Sequence, residues 1–195
     1  ALHAPSGANC QPWKWLISEN AYYLFHDKYY SESFNDFNDL ASYLSLGCAA
    51  ENFIIAAQNK GLEVKMSSLP FGTEHKLKAV FQLFNQDTIP PLIMPHESTH
   101  LAPHIFNRHT NRNKGSQSKI SSQDLLGLEE SITSIEGASL RFVHSKKSLD
   151  ELGELIAMAD KIKMLHPQAH EELFKNEIRF TEEENLKYKD GIDID

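Results

Sequence analysis

Residues 4–13 read Ala-Pro-Ser-Gly-Ala-Asn-Cys-Gln-Pro-Trp and gather one hydroxyl and two carboxamides: Ser6, Asn9 and Gln11. A carboxamide carries both a donor and an acceptor. Such a loop suits the edge of a flat heterocycle on which C=O and N–H groups alternate. Pro5 and Gly7 shape an exposed backbone, and Trp13 anchors the far end. Local Asx and Ser caps in a helix-to-strand turn account for the same letters. A second group reads Arg108-His109-Thr110-Asn111-Arg112. A guanidinium presents a planar fork that matches phosphate oxygens, and its charge-assisted bonds are stronger than neutral ones. Two arginines four apart with Thr110 between them form a compact anion site. A solvated basic turn is the plain alternative.

Other chemistries are poorly supported. The run His96-Glu97-Ser98-Thr99-His100 spells H-E-x-x-H, which on a helix would set two imidazoles toward zinc. Pro95 and Pro103 confine it to about two turns, and no apolar stripe flanks it. It reads as a solvated, His-rich connector, so no metal ligands are assigned. The net charge of −8 lacks the basic face of a nucleic-acid binder. Cys10 and Cys48 are too few for a disulfide framework and read as free thiols of a reducing cytoplasm. No apolar run approaches the roughly 20 residues that span a bilayer, so no membrane partner is expected. Neither a nucleophile elbow nor a P-loop is present, and no catalytic side chain is assigned.

The elements that must position these groups follow from patterning. Lys14–Ser18 and Ala21–His26 predict a β-hairpin. Asp36 to Lys60 predicts the longest helix, ended by Gly61. Its stretch Leu44 to Ala57 is apolar on nearly every face, which predicts burial all round. Glu63–Ser68 and Leu77–Phe84 predict strands about the turn Pro70-Phe71-Gly72. A proline-rich connector fills 85–103, and a short helix is expected over His104 to Arg108. Ser121 or Ser122 opens a helix that Gly137 ends. Ser139–His144 reads as a strand. Ser148 and Glu151 form a capping signal for a helix striped with Leu152, Leu155, Ile156, Ala159 and Ile162. His166-Pro167 breaks that helix, and helical text resumes to about Phe180. Thr181 and Glu184 cap another helix. Asp190-Gly191 is a turn, after which no closing element is expected. The fold class is α+β, with a mostly antiparallel sheet packed by helices. The 195 residues fit one domain or part of one. The expected parts are a first half-unit (1–84), the connector (85–103) and an incomplete second half-unit (104–195).

The string A-P-S-x-x-N-x-Q-P-W resembles the loop of the FMN-dependent nitroreductase family that meets the flavin ring and ribityl chain. Arg108, Thr110 and Arg112 look like that family's R-x-[ST]-x-R grip on the FMN phosphate. The resemblance implies that Pro5, Ser6, Asn9 and Gln11 hold the ring and ribityl end. It implies that Arg108, Thr110 and Arg112 hold the phosphate. His109 departs from the pattern, since many members carry a second Arg there, and this weakens the grip or makes it pH-sensitive. The order, loop first and arginines later, is similar to the long, internally duplicated branch, as is the stretch LASYLSLGCAAENFIIAAQNKGL. Some proteins of this type carry an adenylating domain of the ubiquitin-activating kind upstream. The implied fold is the nitroreductase fold. The implied activity passes hydride from NAD(P)H through FMN to a nitroaromatic, quinone or similar acceptor. A homodimer, or pairing with another half-unit, is expected. Because the chain starts inside a motif and stops at a point internal to the longer proteins, it is expected to be a piece of one. A non-catalytic flavin-binding or association module on the same fold is the alternative.

Overall fold

Trp13, Trp15 and Ile17 alternate with Lys14, Leu16 and Ser18, the period of a strand with two unlike faces. In the computed structural model they form β1 (Trp13–Ser18), which pairs antiparallel with β2 (Ala21–His26), Trp13 opposite His26. The structure describes residues 1–19, 21–85, 97–113, 115, 118–133 and 135–193. Part of the connector, 86–96, lies outside them, as does Asn20 in the hairpin link. β3 (Leu62–Ser68) and β4 (Leu77–Asn85) form a second antiparallel pair, and the sheet runs β1-β2-β4-β3. This is the expected α+β class, with every strand pair of the four-stranded sheet antiparallel.

A four-residue helix, α1 (Lys28–Ser31), follows the hairpin. The long helix α2 (Leu40–Gln58) lies on one face of the sheet. Ala49 and Ala57, almost without exposed surface, let it approach closely. Phe53 reaches between Trp15, Tyr22 and Phe81, with ring centroids 5.2, 5.0 and 4.8 Å away. Phe81 is wholly buried at the centre of this cluster.

Two expectations for this helix are corrected. It starts at Leu40, because Asn38 and Asp39 adopt left-handed conformations (φ 54° and 58°) that break the helical path from Asp36. It is also not buried all round: Leu40 and Leu44 are exposed, as are Gly47 and Ala56. The sheet covers only one face, and near the far end Ile55 packs on Ala102 and Ile105. With the turn before it, this helix is long and apolar enough to cross a membrane by length and composition, although letters alone suggested no such run. Its packing on the sheet gives the apolar residues another use.

The expected helix from His104 to Arg108 is instead a 3-10 turn over Glu97–His104. At three residues per turn, side chains four apart diverge by about a third of a turn. His100 and His104 therefore do not share a face, and His96 lies outside the described residues.

Contacts divide the chain into two compact units, Ala1–Thr110 with His166–Asp195, and Asn111–Leu165. These boundaries cut across the half-units drawn from sequence. The second unit holds α3 (Ser122–Thr133) and α4 (Lys146–Leu165), and neither helix contains a buried residue. Ser121 Oγ accepts from the Asp124 N–H, the expected cap. α4 begins earlier than predicted, because Ser145, not Ser148, is its cap: Ser145 Oγ accepts from the Ser148 N–H at 3.0 Å. Ser139–His144 forms no strand; among the described residues of this unit its backbone meets no second strand, and a lone strand cannot satisfy its polar groups.

In the first unit, Pro167 occupies the first turn of α5 (Pro167–Glu172), a position that needs no N–H donor. A π-turn over Leu173–Glu177 leads to β5 (Ile178–Arg179), so the helical stretch stops short of Phe180. α6 (Glu182–Tyr188) starts as predicted, with Thr181 Oγ1 accepting from the Glu184 N–H. A closing element does exist: β6 (Ile192–Asp193) pairs parallel with β5. This segment is tied back at Phe34, whose N–H donates to Glu172 Oε2 at 2.7 Å and whose ring stacks on His166.

Candidate functional site

The loop before β1 is bent by three non-glycine residues in left-handed conformation: Ala8 (φ 45°), Asn9 (φ 55°) and Gln11 (φ 49°). Asn tolerates this region, whereas Ala8 stores strain of about 1–2 kcal/mol there. A short 3-10 turn over Gly7–Asn9 carries the bend. Ser6 Oγ accepts from the Gln11 N–H at 3.0 Å and closes the loop. The ends are fixed by burial: Ala4, Pro12 and Trp13 lie in the core, while Pro5 and Asn9 are exposed. The loop is thus a rigid arch with a buried footing and an exposed crest.

Gln11 also reaches outward. Its Nε2 donates to the Lys189 carbonyl at 3.0 Å, although 178 positions separate the two residues. Lys189 stands in left-handed conformation (φ 56°) at the end of α6. The next residue, Asp190, accepts from the Arg179 Nε and Nη2 at 3.1 and 2.6 Å. The Arg179 guanidinium is buried and lies 4.7 Å from the Tyr188 ring centroid. Neither Lys189 nor this ion pair was legible as part of the site, because no local pattern announces a main-chain acceptor.

Arg108 arrives from the other direction. Its Nε donates to the His3 carbonyl at 2.9 Å, and Phe106 meets the His3 ring edge-on at 4.9 Å. The Arg108 Nη groups make no hydrogen bond among the described residues, and the side chain is exposed. Thr110 is exposed and ends the first of the two segments of this unit. Arg112 is exposed in irregular backbone of the second unit. The structure therefore ties Arg108 to His3, two residues before Pro5, while Ser6 and Gln11 bond to each other within the loop.

The Cys10 thiol is pushed up to about 11, mainly by burial, with the Asp36 and Asp190 carboxylates adding to the effect. It stays protonated and is no nucleophile at neutral pH.

A buried polar cluster that sequence reasoning missed lies behind the sheet's end. His26 Nε2 and Ser31 Oγ are 2.8 Å apart, and both residues are buried. Lys78, also buried, donates to the Tyr43 hydroxyl at 3.0 Å and to the Thr73 carbonyl at 2.5 Å. Burial lowers the His26 imidazole below its ordinary range. With His26 2% and Ser31 5% exposed, a substrate cannot reach the pair, so its arrangement is that of a structural hydrogen bond. An open concavity of about 730 Å³ runs along α3, lined by Gln123, Leu126 and Glu130 among others, and contains none of the loop residues. Among the described residues no group of three His, Cys, Asp or Glu could hold a metal ion.

No family model matches the chain. It is 25% identical over 194 residues, 100% of its own length, to an uncharacterized protein, MT1398, of Mycobacterium tuberculosis (strain CDC 1551 / Oshkosh). The chain spans about a quarter of the length of this curated relative, 26%.

Proposed function

We propose that this chain is part of an FMN-dependent oxidoreductase of nitroreductase type. It would pass hydride from NAD(P)H through FMN to a nitroaromatic, quinone or similar acceptor, in a cytoplasmic setting. The observation that supports this reading is the bond from Arg108 to His3, one residue before the amide-bearing loop. One group offers phosphate chemistry and the other offers heterocycle chemistry, as a flavin mononucleotide requires.

The donor set fits FMN. The exposed guanidinium of Arg108 would take phosphate oxygens, with Thr110 as a further candidate. Gln11, Asn9 and Ser6 would meet the ring and ribityl end, and Pro5 would shape the backbone beside it. FMN itself supplies the hydride chemistry when bound. The protein's part is binding and orientation, and no side chain is assigned as an acid or base. The rigid arch helps here, because a loop already bent pays less ordering entropy on binding. The nitroreductase fold belongs to the same proposal, supported by the antiparallel sheet with a long helix on it.

The test is the visible absorption spectrum of the purified chain after excess FMN is added and free ligand removed. A retained flavin band, weakened or lost in the Arg108→Ala variant, supports the site. A colourless chain, matched by a colourless longer protein, overturns it.

One observation favours a second reading, an association module that uses the fold without turnover. Leu126, Leu155, Ile156 and Ile162 of the second unit are all more than half exposed. Helices with no buried apolar residue call for a partner, either a second copy or another half-unit. Flavin binding without NAD(P)H oxidation would favour this reading.

A further inference from the structure

Gln11 is held through nearly every polar group it has. Its N–H donates to Ser6 Oγ at 3.0 Å, and its carbonyl accepts from the Trp13 N–H at 2.7 Å. Its Nε2 donates to the Lys189 carbonyl at 3.0 Å. The last bond decides the chemistry of the side chain. A carbonyl cannot donate, so only the amino end of the carboxamide can face Lys189. The carboxamide oxygen is thereby turned away from Lys189.

The Lys189 carbonyl is itself well fixed. The Lys189 N–H donates to the Asn185 carbonyl at 3.0 Å, and the left-handed backbone ends α6. Asp190 is locked to the buried Arg179. Gly191 (φ +80°) passes so close that a Cβ there would lie 2.9 Å from Arg179 Cγ. The peptide that holds Gln11 is therefore clamped on its far side.

We propose that Lys189 is a positioning residue, whose carbonyl fixes Gln11 so that the carboxamide oxygen accepts from an imide-type N–H on a flat heterocyclic ligand. The inference rests on the flavin reading of this loop, and it names the ring group that Gln11 selects. FMN carries such an N–H between two carbonyls. An analogue methylated at that nitrogen removes the donor and adds bulk where the oxygen must sit.

The experiment has two arms on the full chain. In the first, nitrogen–proton NMR correlation spectra of the ligand-free protein follow the Gln11 side-chain amide. The expected result is one side-chain amide proton shifted by its hydrogen bond and protected from exchange, in wild type and in Lys189→Gly. Glycine keeps the left-handed backbone and its carbonyl. Lys189→Val should return that proton to the shift and exchange rate of a free carboxamide, because a β-branched residue disfavours that conformation. A Gln11 amide that shows free-carboxamide shifts and exchanges freely in wild type overturns the inference without any ligand or variant. In the second arm, FMN and its imide-methylated analogue are titrated separately. Wild type and Lys189→Gly should prefer FMN by about tenfold or more, and Lys189→Val and Gln11→Met should lose that preference. Wild type that binds both equally overturns the inference while the flavin reading stands. Wild type that binds neither overturns both.

Discussion

Arg108 donates its Nε to the carbonyl of His3, a contact across 105 positions that ties a guanidinium to the backbone three residues before Ser6. Using Nε this way leaves the Nη edge for an anion. A charge-assisted bond contributes about 1.5–3 kcal/mol, so Arg108→Ala should weaken FMN binding by roughly ten- to a hundredfold. Arg108→Lys should recover little, since an ammonium cannot hold His3 and phosphate in one plane. Flavin fluorescence titration reads both, and unchanged affinity in Arg108→Ala would remove this residue from the site.

Asp36 caps α2 from outside the helix. Its Oδ1 accepts from the Ala41 N–H at 2.7 Å, and its Oδ2 accepts from the Ser42 N–H and hydroxyl. Asp39, next to the helix, makes no cap bond and pairs with Lys28 at 2.7 Å instead. Asp36→Ala should cost about 1–2 kcal/mol. Asp39→Asn, which breaks a partly exposed pair and keeps a residue that tolerates the left-handed backbone, should cost less than about 1 kcal/mol. Urea denaturation of the two variants checks the ranking, and the reverse order would contradict the assignment of the cap.

Stability should fall with acid in two steps. Burial lowers the folded His26 pKa below its ordinary 6.5; Asp39 and Asp36 oppose that shift, while Lys78 and Lys28 reinforce it. Between the unfolded and folded values the unfolded chain binds more protons, so stability drops as pH falls. The His26 contribution is complete above about pH 6.5 and declines below it. The hydrogen bond from Lys28 lowers the Asp39 carboxyl below its ordinary 3.8, so its contribution is lost only below that pH. Melting temperature measured from about pH 8 to about pH 5 should therefore fall in wild type and stay flatter in His26→Gln. An equal slope in both proteins would rule out His26 as the cause.

Cys10 should resist alkylation. A thiol raised to about 11 holds very little thiolate at neutral pH. Iodoacetamide at about pH 7.5 should modify it roughly a hundredfold more slowly than a free cysteine, with the rate rising about tenfold per pH unit. Peptide mass mapping over time reads the rate at Cys10 separately from Cys48. Rapid labelling of Cys10 would show that the loop opens to solvent.

Much of the local structure was legible in the letters. The apolar, aromatic runs Lys14–Ser18 and Ala21–His26 specified the hairpin, Thr181 with Glu184 specified a helix start, and Pro167 specified a helix stop. Each rests on interactions within about four residues or on the period of one element. The letters also nominated Ser6, Gln11 and Arg108. The tertiary structure alone decided what those residues touch, since His3 meets Arg108 and Lys189 meets Gln11 only after distant segments dock. It also decided that α2 buries one face and that Ser139–His144 stays unpaired. Composition records how apolar a face is, but the surface available to cover it depends on which elements fold beside it.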